Sequence, residues 1–122
     1  NIVIKTSLPH LTSVLDNVIS NAVKYSKQDG KIWVLVCERA EKVRIQVLDN
    51  GIGLTNHELS HVFEPFFKAD PSRHDRSSSG LGLSVSKQLL QAIGGRITIC
   101  SEGLDKGTHV TIWMKKSIEL PK

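Results

Sequence analysis

The sequence predicts an α/β sandwich of the α+β kind, with helices covering one face of a mixed, largely antiparallel sheet of about five strands. Three observations predict it. Leu11, Val14, Leu15, Val18, Ile19, Ala22 and Val23 recur at helical spacing and form one long apolar stripe that has to face a core. Residues 31–38 and 42–48 are β-branched runs joined by a charged turn, the pattern of an antiparallel hairpin. That hairpin lies between helices, which argues against a strictly alternating parallel sheet.

The elements follow in order. Residues 2–5 read as a short strand. Ser7-Leu8-Pro9 then supplies a capping hydroxyl and a proline in the first turn, so the long helix starts here. Its stripe ends at Lys27-Gln28-Asp29-Gly30, and the hairpin follows. Thr55-Asn56-His57-Glu58 matches a capping box and predicts a brief helix to about His61. Residues 68–79 carry almost nothing that can be buried and predict an exposed loop. Leu83, Val85, Leu89, Leu90 and Ile93 give a second amphipathic helix, stopped by Gly94-Gly95 where a left-handed C-cap is wanted. Arg96 to Ser101 and Thr108 to Met114 are closing strands linked by a glycine-containing turn, and residues 115–122 read as an exposed tail.

At 122 residues the chain is a single domain, residues 1–122. A hydrophobic fraction of 39% and a charged fraction of 23% exclude disorder and fibrous repeats. The net charge of +4 is mild and its cations are scattered, which favours a local anion site over a nucleic-acid track. Cys37 and Cys100 are too few for a disulfide framework or a four-ligand zinc site, and read as buried reduced thiols. No apolar stretch approaches the ~20 residues a bilayer crossing needs, so a cytoplasmic domain is expected. The chain opens in mid-strand without a methionine, which predicts a segment of a longer parent and is compatible with a membrane anchor elsewhere in it.

Three constellations carry chemistry. Asn17, Asn21 and Lys24 sit at offsets of four and seven, in one narrow arc of the long helix. Amide oxygens can complete the oxygen shell of Mg²⁺ and an ammonium can meet phosphate charge, so the trio suits a metal-bound polyphosphate; a solvated helix face is the bland alternative. Asp49-Asn50-Gly51-Ile52-Gly53-Leu54 directly follows a strand. It is either a plain turn or a site where glycines admit a flat base and the Asp49 carboxylate accepts from an exocyclic amine. Ser79-Gly80-Leu81-Gly82-Leu83 is the passage from polar loop to helix, where free amides can bind an anion. It lacks the final Gly-Lys-Ser/Thr of a Walker-type loop.

In this order the pieces resemble the histidine-kinase branch of the ATPase superfamily that includes gyrase, the heat-shock protein of ninety kilodaltons and the MutL proteins. Residues 15–26 resemble its asparagine box, 49–54 its first glycine box, Phe63-Glu-Pro-Phe-Phe-Lys68 its phenylalanine box and Gly80-Leu-Gly-Leu83 its second glycine box. The resemblance implies a Bergerat-type ATP-binding fold with ATP and Mg²⁺ as cofactors. Asn17 and Asn21 would hold the metal and phosphates, Lys24 and Tyr25 would lie near phosphates and ribose, and Asp49 would read adenine. Gly51, Gly53, Leu54, Ser79, Gly80, Leu81, Gly82 and Leu83 would line the nucleotide. Residues 68–79 would be the ATP lid, with Lys68, Arg73 or Arg76 reaching the γ-phosphate. The implied catalytic set is Asn17, Asn21, Lys24 and Arg76, and Phe63, Phe66 and Phe67 would anchor the lid base.

The implied reaction is transfer of the γ-phosphoryl group to a histidine on a separate helical dimerisation and phosphoacceptor domain, and from there to a response regulator. Gyrase-like relatives place a water-activating glutamate where this chain has Asn17, and an amide cannot act as a general base, so slow hydrolysis is expected. Nucleic acid and membrane are not expected partners of this domain. An anti-sigma-type serine kinase and a nucleotide-binding regulatory module are the alternatives. His57-Glu58-Leu59-Ser60-His61 is a literal HExxH, discounted as a zinc site because its helix is short and Glu58 is explained by capping.

Overall fold

The structure is a computed structural model that describes residues 2–65 and 82–118. Ser7 caps α1 (Leu8–Lys24), its hydroxyl accepting from the His10 amide at 3.4 Å. The hairpin of β1 (Ile32–Arg39) and β2 (Lys42–Asp49) follows, then the short α2 (Asn56–Leu59). Helix α3 (Gly82–Ala92), β3 (Arg96–Cys100) and β4 (Thr108–Lys115) complete the fold. The described strands form one four-stranded antiparallel sheet in the order β1-β2-β4-β3.

The pleat sorts the sheet into two faces. Val43, Ile45 and Val47 lie opposite Met114, Ile112 and Val110, and Ile97 lies opposite Ile112; all are buried beneath the helices. Val14, Val18 and Ala22 of α1 and Leu90 of α3 close this core from above. One side of the stripe expected on α1 is left out: Ile19 and Val23 are exposed, because the helix packs against β2 and α3. The capping box of α2 is complete, with Thr55 Oγ1 accepting from the Glu58 amide and a Glu58 carboxylate oxygen accepting from the Thr55 amide at 2.8 Å. Gly94 adopts the left-handed conformation that ends α3 (φ 74).

Three expectations change. Residues 2–5 do not form a strand of the sheet; Lys5 makes an isolated parallel bridge to Ser117. The expected tail begins later: Lys115 ends β4, and the Lys5 bridge and core contacts of Ile118 hold the chain in place beyond it. Cys37 is half-buried and Cys100 exposed, since their register puts them on the uncovered face of the sheet. The loop at 68–79 lies outside the described residues.

Leu90 is fully buried where α3 meets the sheet, so Leu90→Ala should cost about 2–5 kcal/mol of folding stability. Urea unfolding followed by far-ultraviolet dichroism checks this, with the midpoint falling and the slope unchanged.

Candidate functional site

Helix α1 is the meeting point of the site. At its C-terminal end the Tyr25 carbonyl accepts from the amide of Ile52 at 3.1 Å, tying the helix to the turn after β2. About two turns earlier, Asn17 Nδ2 donates to the Gly82 carbonyl at 3.2 Å and to Ser86 Oγ at 3.1 Å, tying it to the start of α3. The three segments singled out from sequence are therefore brought together, at residues 17–25, 49–54 and 82–83.

The turn after β2 is built around one carboxylate. Asp49 is the last residue of β2, on the buried face, and is 8% exposed. Its Oδ1 accepts from the Gly51 amide at 2.9 Å. Burial pushes its pKa up, while the backbone amides of Gly51 and Thr108 and the nearby His109 pull the other way. The turn fits only glycine at two points. A Cβ on Gly51 would strike the Tyr25 carbonyl, and Gly53 has φ 70 with the Gly103 carbonyl against it.

The segment 101–107 supports this turn from the other side. Ser101 Oγ accepts from the Leu54 amide at 3.1 Å and donates to the Gly107 carbonyl at 2.6 Å. Asp105 and Gly107 donate their amides to the carbonyls of Ile52 and Gly51, at 2.8 and 3.2 Å. The sequence reading missed this brace, although Gly103 and Gly107 around a strand connection were its visible sign.

Asn17 has a determined orientation. A carbonyl oxygen only accepts, so the amide nitrogen must face Gly82. Ser86 is fully buried and donates its proton to the same carbonyl at 2.8 Å, so its oxygen takes the second Asn17 hydrogen. Asn17 Oδ1 is thereby turned away, and no hydrogen bond from the described residues reaches it. This orientation fits an oxygen-seeking cation such as Mg²⁺. Ser86 was another residue that sequence reasoning missed, because a serine within an amphipathic helix gives no signal of its own.

Asn21, Lys24 and Tyr25 are half-buried on the same helix. Lys24 Nζ lies 5.7 Å from the Tyr25 ring centroid, and burial, with the nearby Glu58 charge, pushes the pKa of the phenol up. Leu54 stays at the rim of the turn, half-buried, and Leu83 packs against the core. Phe63 also packs there, with Lys87 Nζ of α3 5.1 Å from its ring centroid. Phe66, Phe67, Lys68, Arg73, Arg76, Ser79, Gly80 and Leu81 lie outside the described residues.

The raised pKa of Asp49 has a definite sign in stability. The folded state binds this proton more tightly than the unfolded chain, so the advantage is present below the unfolded pKa and is lost as pH rises through the folded one. Asp49→Asn should therefore hold or raise the thermal midpoint at neutral pH. The gap from the parent should narrow as the pH falls into the ordinary carboxylate range, in paired calorimetric scans across that window.

The residues from 6 to 118 match the family model for histidine kinase-, DNA gyrase B- and HSP90-like ATPases. The chain is 42% identical over 105 residues to the sensor histidine kinase WalK of Bacillus subtilis, covering 83% of this chain and 17% of that protein. It is 34% identical over 111 residues to the histidine protein kinase SaeS of Staphylococcus epidermidis, covering 88% of this chain and 31% of that protein. The chain thus spans less than a third of the length of these curated relatives. Among solved structures, the mycobacterial sensor histidine kinase MprB superposes with a TM-score of 0.82 at 26% identity, covering 95% of this chain and 78% of that one. Full-length ShkA in complex with AMPPNP superposes with a TM-score of 0.72 at 25% identity, covering 93% of this chain and 23% of that one. The described α+β architecture is that of histidine-kinase catalytic domains, and the chain belongs to the family of histidine kinase-, DNA gyrase B- and HSP90-like ATPases.

Proposed function

We propose that this domain binds Mg-ATP and donates its γ-phosphoryl group to a histidine on a helical dimerisation and phosphoacceptor domain of the same parent protein, a cytoplasmic step in signalling to a response regulator. The observation that carries this reading is the convergence on α1 of the Asp49 turn and the start of α3. One end of the site has a buried carboxylate held in a tight glycine turn. The other end has amide oxygens and a lysine suited to a metal-bound polyphosphate.

Each residue takes a role its surroundings permit. Asp49 accepts from the exocyclic amine of adenine, an acceptor that burial makes selective because an unpaired carboxylate there is costly. Asn17 and Asn21 hold the metal through their amide oxygens, and Lys24 faces phosphate. When bound, Mg²⁺ neutralises the charge spreading over the transferred phosphoryl group. Asn17 positions rather than deprotonates, so the domain does not activate water and the phosphoryl group awaits an imidazole nucleophile. Lys68, Arg73 or Arg76 supplies lid charge in this reading.

Titration with ATP, with and without Mg²⁺, tests the site. Asp49→Ala and Asn21→Ala should each weaken binding by at least about tenfold, roughly the loss of one charge-assisted hydrogen bond. Lys24→Ala should have a smaller effect that shrinks as salt rises. Unchanged affinity in the first two overturns the assignment. Supplying a phosphoacceptor domain with labelled ATP should give an acid-labile phosphoprotein; an acid-stable product would indicate a serine kinase instead.

Ser86 gives a separate measurement. Ser86→Ala removes the hydroxyl that fixes the Asn17 amide while leaving every proposed ligand in place. It should raise the Mg²⁺ concentration needed for half-maximal transfer, with metal-free ATP affinity unchanged. Equal loss in both would mean that Ser86 only supports the fold.

A further inference from the structure

The outer face of the sheet, away from the helices, carries an ordered distribution of charge. Arg39, Lys42 and Lys115 lie side by side across β1, β2 and β4 at the hairpin end. In the next row Arg44 and Arg96 flank Trp113, their guanidinium carbons 5.6 and 5.8 Å from its ring centroid. At the opposite end Trp33 and Leu35 are about half exposed (46% and 49%), beside Leu48. No outward position of the four strands holds an aspartate or glutamate. None of the five cations forms an ion pair among the described residues, and the Arg44 Nε is buried without a hydrogen-bond partner. Like charges placed directly across a sheet are destabilising, so the row of Arg39, Lys42 and Lys115 costs stability with no carboxylate among the described residues to offset it.

The neighbouring edge is open. Asn50 donates its amide to the Lys31 carbonyl, which fixes the parity of the β1–β2 ladder: odd residues of β1 address β2 and even residues address the edge. The backbone groups of Ile32, Val34 and Val36 therefore point outward from a strand with no neighbour on that side among the described residues. Val34 and Val36 are also half exposed (49% and 52%) on the inner face, so the strand offers apolar surface on both sides. Sheet edges of this kind are normally blunted or covered.

We propose that the β1 edge and the adjoining cationic face form a docking surface for an acidic, strand-forming segment of a protein partner, which extends the sheet beside β1. Carboxylates on the outer face of the added segment lie beside Arg39 and reach Lys42, and apolar residues on its inner face cover Val34 and Val36. The open edge selects a polypeptide, since its aligned amides and carbonyls are matched by another main chain and not by a lipid or nucleic acid. The guanidinium groups over Trp113 occupy the ring that a base would stack on. A second copy of this chain fits poorly, because its own β1 brings no carboxylate to the outer face.

The chain has two tryptophans, Trp33 and Trp113, and both lie on this face, so intrinsic fluorescence reports on it directly. The probe is a synthetic peptide of alternating glutamate and valine, matched to the 8-residue length of β1. Titration should give a saturable change in emission. The double variant Arg39→Ser, Lys42→Ser should weaken binding by about tenfold or more while its unfolding midpoint stays level or rises. The same peptide N-methylated at alternate residues should not bind, and ATP affinity should be unaffected in the variant. Equal binding by the variant or by the methylated peptide overturns the proposal. So does tighter binding of oligodeoxythymidine, which would mark a nucleic-acid surface, or of phosphatidylserine vesicles, which would mark a lipid surface.

Discussion

The Asp49 carboxylate ends a strand on the buried side of the sheet, and the surrounding loops are shaped to hold it there. Gly51 bends back to give it an amide, which brings the Ile52 amide to the carbonyl of Tyr25 and so joins the turn to α1. From the other side, Ser101, Asp105 and Gly107 brace the same turn through the connection between β3 and β4. The turn is thus held by a helix and by a distant loop together. Its precision comes from backbone and serine hydrogen bonds rather than from packing.

Fixing α1 at this turn also fixes the other end of the site. Asn17 lies two helical turns before Tyr25, and its amide is oriented by a carbonyl that can only accept and by a buried serine whose proton is already committed. A flexible side chain is converted into a directional oxygen donor by two residues of α3. The link between α1 and α3 therefore serves two ends: it closes the core around Leu90, and it sets the angle at which an oxygen ligand is presented. Coupling of this kind means that motion of the α3 start would be felt at Asn17 before it is felt in the core.

Much of this was legible in the sequence, for identifiable reasons. The helical stripe, the hairpin, the capping box and the glycine stop each rest on local periodicity or local turn chemistry, and the structure reproduces them. The meeting of Asn17, Asp49 and Gly82 came from motif order, since no spacing rule connects residues so far apart in the chain. What sequence missed depends on register and on long-range contacts. Residues 2–5 look like a strand because Ile2-Val3-Ile4 is a β-branched run, yet only Lys5 finds a strand-type partner. The cysteines look buried because their neighbours are apolar, yet register turns them outward on a face that no helix covers. Ser86 is invisible because its importance lies in what touches it.

The two places where local rules are broken point to different surfaces. A carboxylate with a raised proton affinity is buried at the end of β2, and a row of unpaired like charges crosses the opposite face. Neither improves the fold by itself, and natural sequences keep such conflicts where an external group resolves them. In the proposed reading an entering hydrogen-bond donor resolves the conflict at Asp49, and negative charge resolves it at Arg39 and Lys42. Because β2 carries Asp49 on one face and Arg44 on the other, the same strand separates the two surfaces by the thickness of a single sheet. A segment added beside β1 would extend that sheet without entering the nucleotide site. Its effect there would have to pass through the β1–β2 register, whose last hydrogen-bonded pair, Lys31 with Asn50, adjoins Asp49 itself.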